Sequence, residues 1–201
     1  NLKQYDKALA DYNKAIELDL EDAANYYYRA NLYRSNLKQY DRALADYNRA
    51  IELDPEDADF YFGRAYLYSN YLEQFDKAIA DYLTVFKLDP GNKYTNNNIA
   101  IIYKNYIKDY DKALEYFNKE IEFFPNPLAY RNRANLYRND LKQYDKALAD
   151  YNKAIELDPE DADNYYWRAR LYQYNLKQYD KALADYYKAI ELDPIEAKYR
   201  Y

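Results

Sequence analysis

An all-α fold of stacked helical hairpins, an α-solenoid, is what this 201-residue sequence predicts. Two observations carry it. The phrase "QYDKALADYNKAIELD" at residues 4–19 returns almost unchanged at Gln39, Gln143 and Gln178, and more loosely at Gln74 and Asp109. Its aromatic falls at Tyr5, Tyr40, Phe75, Tyr110, Tyr144 and Tyr179, spaced 35, 35, 35, 34 and 35 residues apart. A fixed period in this range marks a solenoid, because one helical hairpin cannot bury its apolar face without neighbours. Within each period, two segments carry apolar residues three and four apart, the spacing of one helix face.

The chain opens with a lone second-type helix, helix B, over residues 5–19. Five full units follow at about 22–54, 57–89, 92–124, 126–158 and 161–193, then the start of a further first-type helix, helix A, at 195–201. Helix B is clearest at Tyr40, Ala43, Leu44, Tyr47, Ala50 and Ile51, a stripe built for burial. Asp41 sits in its first turn, where a carboxylate suits the helix dipole, and "LDP" at Leu53–Pro55 closes it because the residue before proline resists the α region. Helix A, as at Ala58–Asn70, has an alanine at its centre. No Gly/Pro/Ser-rich linker divides the units, so one continuous array is expected.

Composition excludes whole classes of chemistry. There is no Cys, His or Met and only 2 Gly, so thiol nucleophiles, imidazole bases and the usual zinc sets are absent, and no metal or cofactor is expected. The few hydroxyls, Ser35, Ser69, Thr84 and Thr95, stand in no nucleophile elbow or phosphate loop. An enzyme is not expected. A net charge of −6 argues against nucleic acid and anionic membranes as partners, and no apolar run spans a bilayer. A soluble stretch is expected, with its compartment open; Asn1 at the start, with no signal segment, reads as an excerpt or a processed product.

Tyr165-x2-Arg168-Ala169-x2-Tyr172, then Ala182-x3-Tyr186 and Pro194, resembles the tetratricopeptide repeat, with its W-x2-L-G-x2-Y, A-x3-F and P signature. The resemblance implies a right-handed superhelix of antiparallel hairpins that binds proteins. Three departures stand out. Alanine (Ala30, Ala65, Ala100, Ala134, Ala169) replaces the central glycine of helix A; it is small and a better helix former. The turn between helices lacks its glycine and is one residue longer, with Leu37, Leu72, Ile107, Leu141 or Leu176 expected to pack inward.

The third departure is charged. Arg29, Arg64, Arg133 and Arg168 precede the helix A alanine, and Asp46, Asp81, Asp150 and Asp185 follow seventeen residues later; in the third unit Ile99 and Tyr116 replace both charges together. Joint loss points to structural pairs, since an arginine on an apolar face needs an anion. Separate snorkelling of the two side chains is the competing reading.

Helix B hardly varies between copies, whereas helix A varies at positions that, by the resemblance, line a concave peptide-binding groove. These are Tyr27, Tyr28, Asn31 and Arg34; Phe62, Gly63, Tyr66 and Ser69; Asn97, Asn98, Ile101 and Lys104; Arg131, Asn132, Asn135 and Arg138; and Tyr166, Trp167, Arg170 and Gln173. Tyr, Trp and Arg dominate binding hot spots, and Asn serves both donors and acceptors of a peptide backbone. The carboxylate-holding residue set of one tetratricopeptide subclass is incomplete here, while Arg131, Arg138 and Arg170 suggest an acidic segment. The expected function is therefore a non-enzymatic scaffold binding a protein or peptide. The alternative is a structural array that stacks end to end into a longer superhelix.

Overall fold

The computed structural model describes residues 2–195, so the further helix A expected at 195–201 lies, beyond Ile195, outside the described residues. Eleven α-helices and no strand appear among the described residues: α1 Leu2–Leu18, α2 Ala23–Leu32, α3 Tyr40–Leu53, α4 Ala58–Asn70, α5 Phe75–Leu88, α6 Thr95–Ile102, α7 Tyr110–Phe123, α8 Pro127–Asn139, α9 Tyr144–Leu157, α10 Ala162–Arg170 and α11 Tyr179–Leu192. Even-numbered helices through α10 are the A helices, and α2, α4, α8 and α10 each form a hairpin with the helix after it. The chain divides into two compact units, Asn1–Ile102 and Tyr103–Tyr201. The division falls inside the third repeat.

Four of the A helices, α2, α4, α8 and α10, begin at side-chain caps. Asp22, Asp57 and Asp161 each accept from the backbone N–H two residues on, and Asn126 accepts from Ala129 with Pro127 in the first turn. These caps satisfy amides that have no partner within the helix.

The A helices end in an unusual way, and this is where the extra residue goes. In all five connections from an A helix to the next B helix a residue with left-handed backbone takes the place of glycine: Lys38 (φ 54°), Glu73 (φ 54°), Lys108 (φ 64°), Lys142 (φ 57°) and Lys177 (φ 57°). The next amide then reaches back six residues to a tyrosine carbonyl, as in Gln39 to Tyr33 (2.9 Å), Gln74 to Tyr68 (3.0 Å), Asp109 to Tyr103 (3.1 Å), Gln143 to Tyr137 (2.8 Å) and Gln178 to Tyr172 (2.9 Å). Three of the helices widen outright into π turns, at Tyr33–Leu37, Tyr103–Ile107 and Leu171–Leu176. An ordinary left-handed cap closes with a bond five residues back. One residue is thus inserted as a π-type widening, which leaves the preceding turns of helix A in register.

The B stripe forms the core. Ala43, Tyr47 and Ala50 have no exposure, and Ala147, Tyr151 and Ala154 repeat the arrangement. Gly63 belongs to this core, because a Cβ there would lie 2.7 Å from the Tyr47 ring and 3.1 Å from that of Tyr27. Its small size makes room for Tyr47. Leu37, Leu72 and Leu176 pack against core clusters and Leu141 is half-buried. Ile107 corrects the inward expectation for its copy: it is 42% exposed, a position that costs little for one isolated apolar side chain.

Candidate functional site

The four Arg–Asp pairs are bidentate. Arg29 donates from Nε to Asp46 (2.7 Å) and from Nη2 to the other oxygen (2.8 Å), and Arg64–Asp81, Arg133–Asp150 and Arg168–Asp185 repeat this at 2.7–2.8 Å. The remaining nitrogen, Nη1, donates to an asparagine of the preceding B helix: Asn13, Asn48, Asn118 or Asn152. Each arginine therefore ties three helices together. Burial works against the charge of Arg64, Arg133 and Arg168, yet their carboxylates more than offset it and the pKa values lie above the ordinary arginine value. The asparagine was readable in the sequence, for Leu83 stands at its position ahead of Ile99, the one unit without the arginine.

Several groove candidates already have structural work. Tyr47 and Tyr151 are fully buried and donate their hydroxyls to Asn31 and Asn135, each at 2.7 Å. Tyr82 accepts from Asn98 at 3.2 Å, and Tyr186 donates to Gln173 at 2.7 Å. Burial pushes the pKa of all four tyrosines up, that of Tyr186 to about 12. Asn97 and Ser69 are buried, and Phe62 meets the Tyr82 ring edge-on at 5.5 Å. Arg131 is drawn away from the expected arginine cluster: it reaches Asp161 at 2.5 Å, Asn164 at 2.8 Å and Asp163 at 3.8 Å.

In the first compact unit, what remains open to a ligand is largely aromatic. Tyr28 is 52% exposed beside Tyr27, whose ring lies against Tyr47 and Phe60. Tyr66 lies partly exposed under the Arg34 guanidinium at 4.9 Å. In the second unit, two guanidiniums lie near the Trp167 ring, Arg138 at 5.1 Å and Arg170 at 5.3 Å, and Tyr166 meets the indole edge-on at 5.2 Å. Asn132 is half-buried, as is Lys104, whose pKa burial lowers, with Lys108 and Arg138 adding repulsion that Asp140 opposes. No group of side chains that could hold a metal, and no helix long and apolar enough to cross a membrane, occurs among the described residues.

Capped helical hairpins stacked on a repeated core define an α-solenoid of the kind that serves protein interaction. The family profile described as "TPR repeat" matches residues 36–70 and 138–175, and that described as "Tetratricopeptide repeat" matches 1–22, 58–92 and 162–196; together they cover more than half of the chain. The chain belongs to the tetratricopeptide repeat family. Among solved structures it is similar to YrrB, described as a TPR protein with an unusual peptide-binding site, at 28% identity over 94% of this chain and 95% of that one, with a TM-score of 0.63. A tetratricopeptide repeat protein from Parabacteroides merdae matches at 25% identity over 99% and 76% of the two chains, with a TM-score of 0.68. The pilus biogenesis factor PilW shares the fold at 18% identity over 98% and 90%, with a TM-score of 0.80. No curated protein sequence matches the chain.

Proposed function

We propose that the chain is a non-enzymatic scaffold that holds a peptide segment of another protein along the varied face of its A helices. One observation carries this reading. Helix B repeats with little change around a buried stripe, whereas helix A changes most between copies and leaves Tyr28 and Tyr66 52% and 37% exposed. Aromatic side chains supply contact area at low entropic cost and recur at hot spots. YrrB, with its peptide-binding site, supports the same direction. Peptides selected for binding from a random display library are expected to lose affinity by about tenfold or more for Tyr28→Ala, Tyr66→Ala or Trp167→Ala. Selected peptides bound equally well by all three variants would place recognition elsewhere.

The alternative, stacking of copies or of further repeats onto the end of the array, is favoured by a row on α11: Tyr179, Leu183 and Tyr187 are 62%, 52% and 64% exposed. Sedimentation over a wide concentration range checks it, and a monomer throughout would remove support for association between copies.

A further inference from the structure

Arg138 is the one arginine among the buried residues of the described chain, at 5% exposure, and no carboxylate of the described residues lies within ion-pair reach of it. Arg29, Arg64, Arg133 and Arg168 each hold an aspartate, Arg131 holds Asp161 and Arg49 meets Glu52, while Arg34 and Arg42, which hold no carboxylate, are half-buried and exposed rather than buried. Arg138 has only neutral partners: Nε donates to Asn139 Oδ1 at 3.0 Å and Nη1 to the Trp167 carbonyl at 3.4 Å. Arg170, also close to the indole, likewise has no carboxylate within ion-pair reach among the described residues and lies over Tyr166, Trp167 and Tyr174. Burial and the charge of Arg170 both lower the Arg138 pKa, and Lys104 nearby is also cationic.

A buried cation without an anion is unfavourable, and a chain of net charge −6 has many carboxylates to place beside one. We propose that Arg138 and Arg170, both close to the Trp167 ring, receive a carboxylate from an acidic peptide segment. The proposal rests on the scaffold reading and specifies its ligand. Two guanidiniums suit a carboxylate because charge-assisted bonds to Arg are the strong ones. The peptide source follows from the surroundings: Tyr166 and the exposed Tyr174 offer apolar contact to residues flanking the acid, which a free small anion does not use.

Trp167 is the only tryptophan, so its emission reports this site alone. The probes are acetyl-Glu-Leu-Glu-Leu-Glu-Phe-amide, its Gln-for-Glu counterpart and free glutarate, at low salt. The acidic peptide is expected to change Trp167 emission and raise Tm, with affinity about tenfold or more above that of the Gln peptide, and Arg138→Met or Arg170→Gln to lower it about tenfold or more. Ligand-free Arg138→Met is expected to melt no lower than the parent, because it removes an uncompensated charge. Equal binding of the acidic and Gln peptides overturns the anion site and leaves the scaffold reading standing. Glutarate binding as tightly as the peptide overturns the peptide source. If none of the probes changes emission or Tm, or if Arg138→Met lowers the ligand-free Tm by several degrees, Arg138 is structural and the proposal falls, whereas the display selection still judges the scaffold.

Discussion

The second repeat and the third solve the same packing problem with opposite chemistry. In the second, Arg64 on α4 joins Asn48 of the preceding helix to Asp81 of the following one through three hydrogen bonds. At the corresponding positions the third has Leu83, Ile99 and Tyr116, and Ile99 is fully buried. The buried tyrosine changes in the same repeat: Phe117 replaces it, and Ile101 stands where Asn31 and Asn135 receive a hydroxyl in their own repeats. The Arg–Asp pair is present or missing as a whole in every repeat, and the Tyr–Asn pair likewise in the first, third and fourth, while Tyr82 and Tyr186 take other partners, Asn98 and Gln173. That is what the cost of a stranded buried polar group demands, since removing both partners is far milder than removing one.

The largest test of this comparison is to strand a charge. Arg64→Ala leaves Asp81, 7% exposed, without its cation and is expected to cost about 3–5 kcal/mol in denaturant titration, whereas Asn48→Leu, Arg64→Ile and Asp81→Tyr together, copying the third repeat, are expected to cost less than half of that.

Alkali separates the repeats in a second way. A tyrosine whose folded pKa is raised stabilises the fold fully below the unfolded value of 10.0, and that contribution is lost as pH rises through the folded value, about 12 for Tyr186 and higher for the more deeply buried rings. Stability is therefore expected to fall steadily from pH 10 upward. Helical circular dichroism checks this, and Tyr82→Phe, copying Phe117, should soften the fall.

A smaller effect comes from the hydroxyl alone. Tyr47→Phe is expected to cost about 1–1.5 kcal/mol because Asn31 loses its donor, and adding Asn31→Ile should recover part of that loss. Smallest is the turn: Lys38→Gly is expected to stabilise by about 0.5–1 kcal/mol, because glycine accepts φ 54° without the penalty a side chain meets. A loss there would mean that Lys38 has a compensating contact.

The period, the helices and the Arg–Asp spacing could be read because six near-copies vary independently at the surface and jointly at contacts. The asparagine of each three-helix link and the Tyr47–Asn31 bond carried the same signal through Leu83 and Ile101, but it shows only once the helix register is known. Two features had no such signal. Arg131 reaches Asp161 thirty residues on, in a combination that a single copy contains. The π-type turn absorbs its extra residue through backbone bonds, which no side chain announces.

Coupling between buried partners is the central claim, and a double-mutant cycle on Arg64 and Asp81 measures it most directly. With Arg64→Ala, Asp81→Ala and the double variant compared by denaturant midpoint, the predicted result is a coupling energy of about 2–3 kcal/mol, with the double variant losing far less than the sum of the singles. Strictly additive losses, with coupling below about 0.5 kcal/mol, would contradict it.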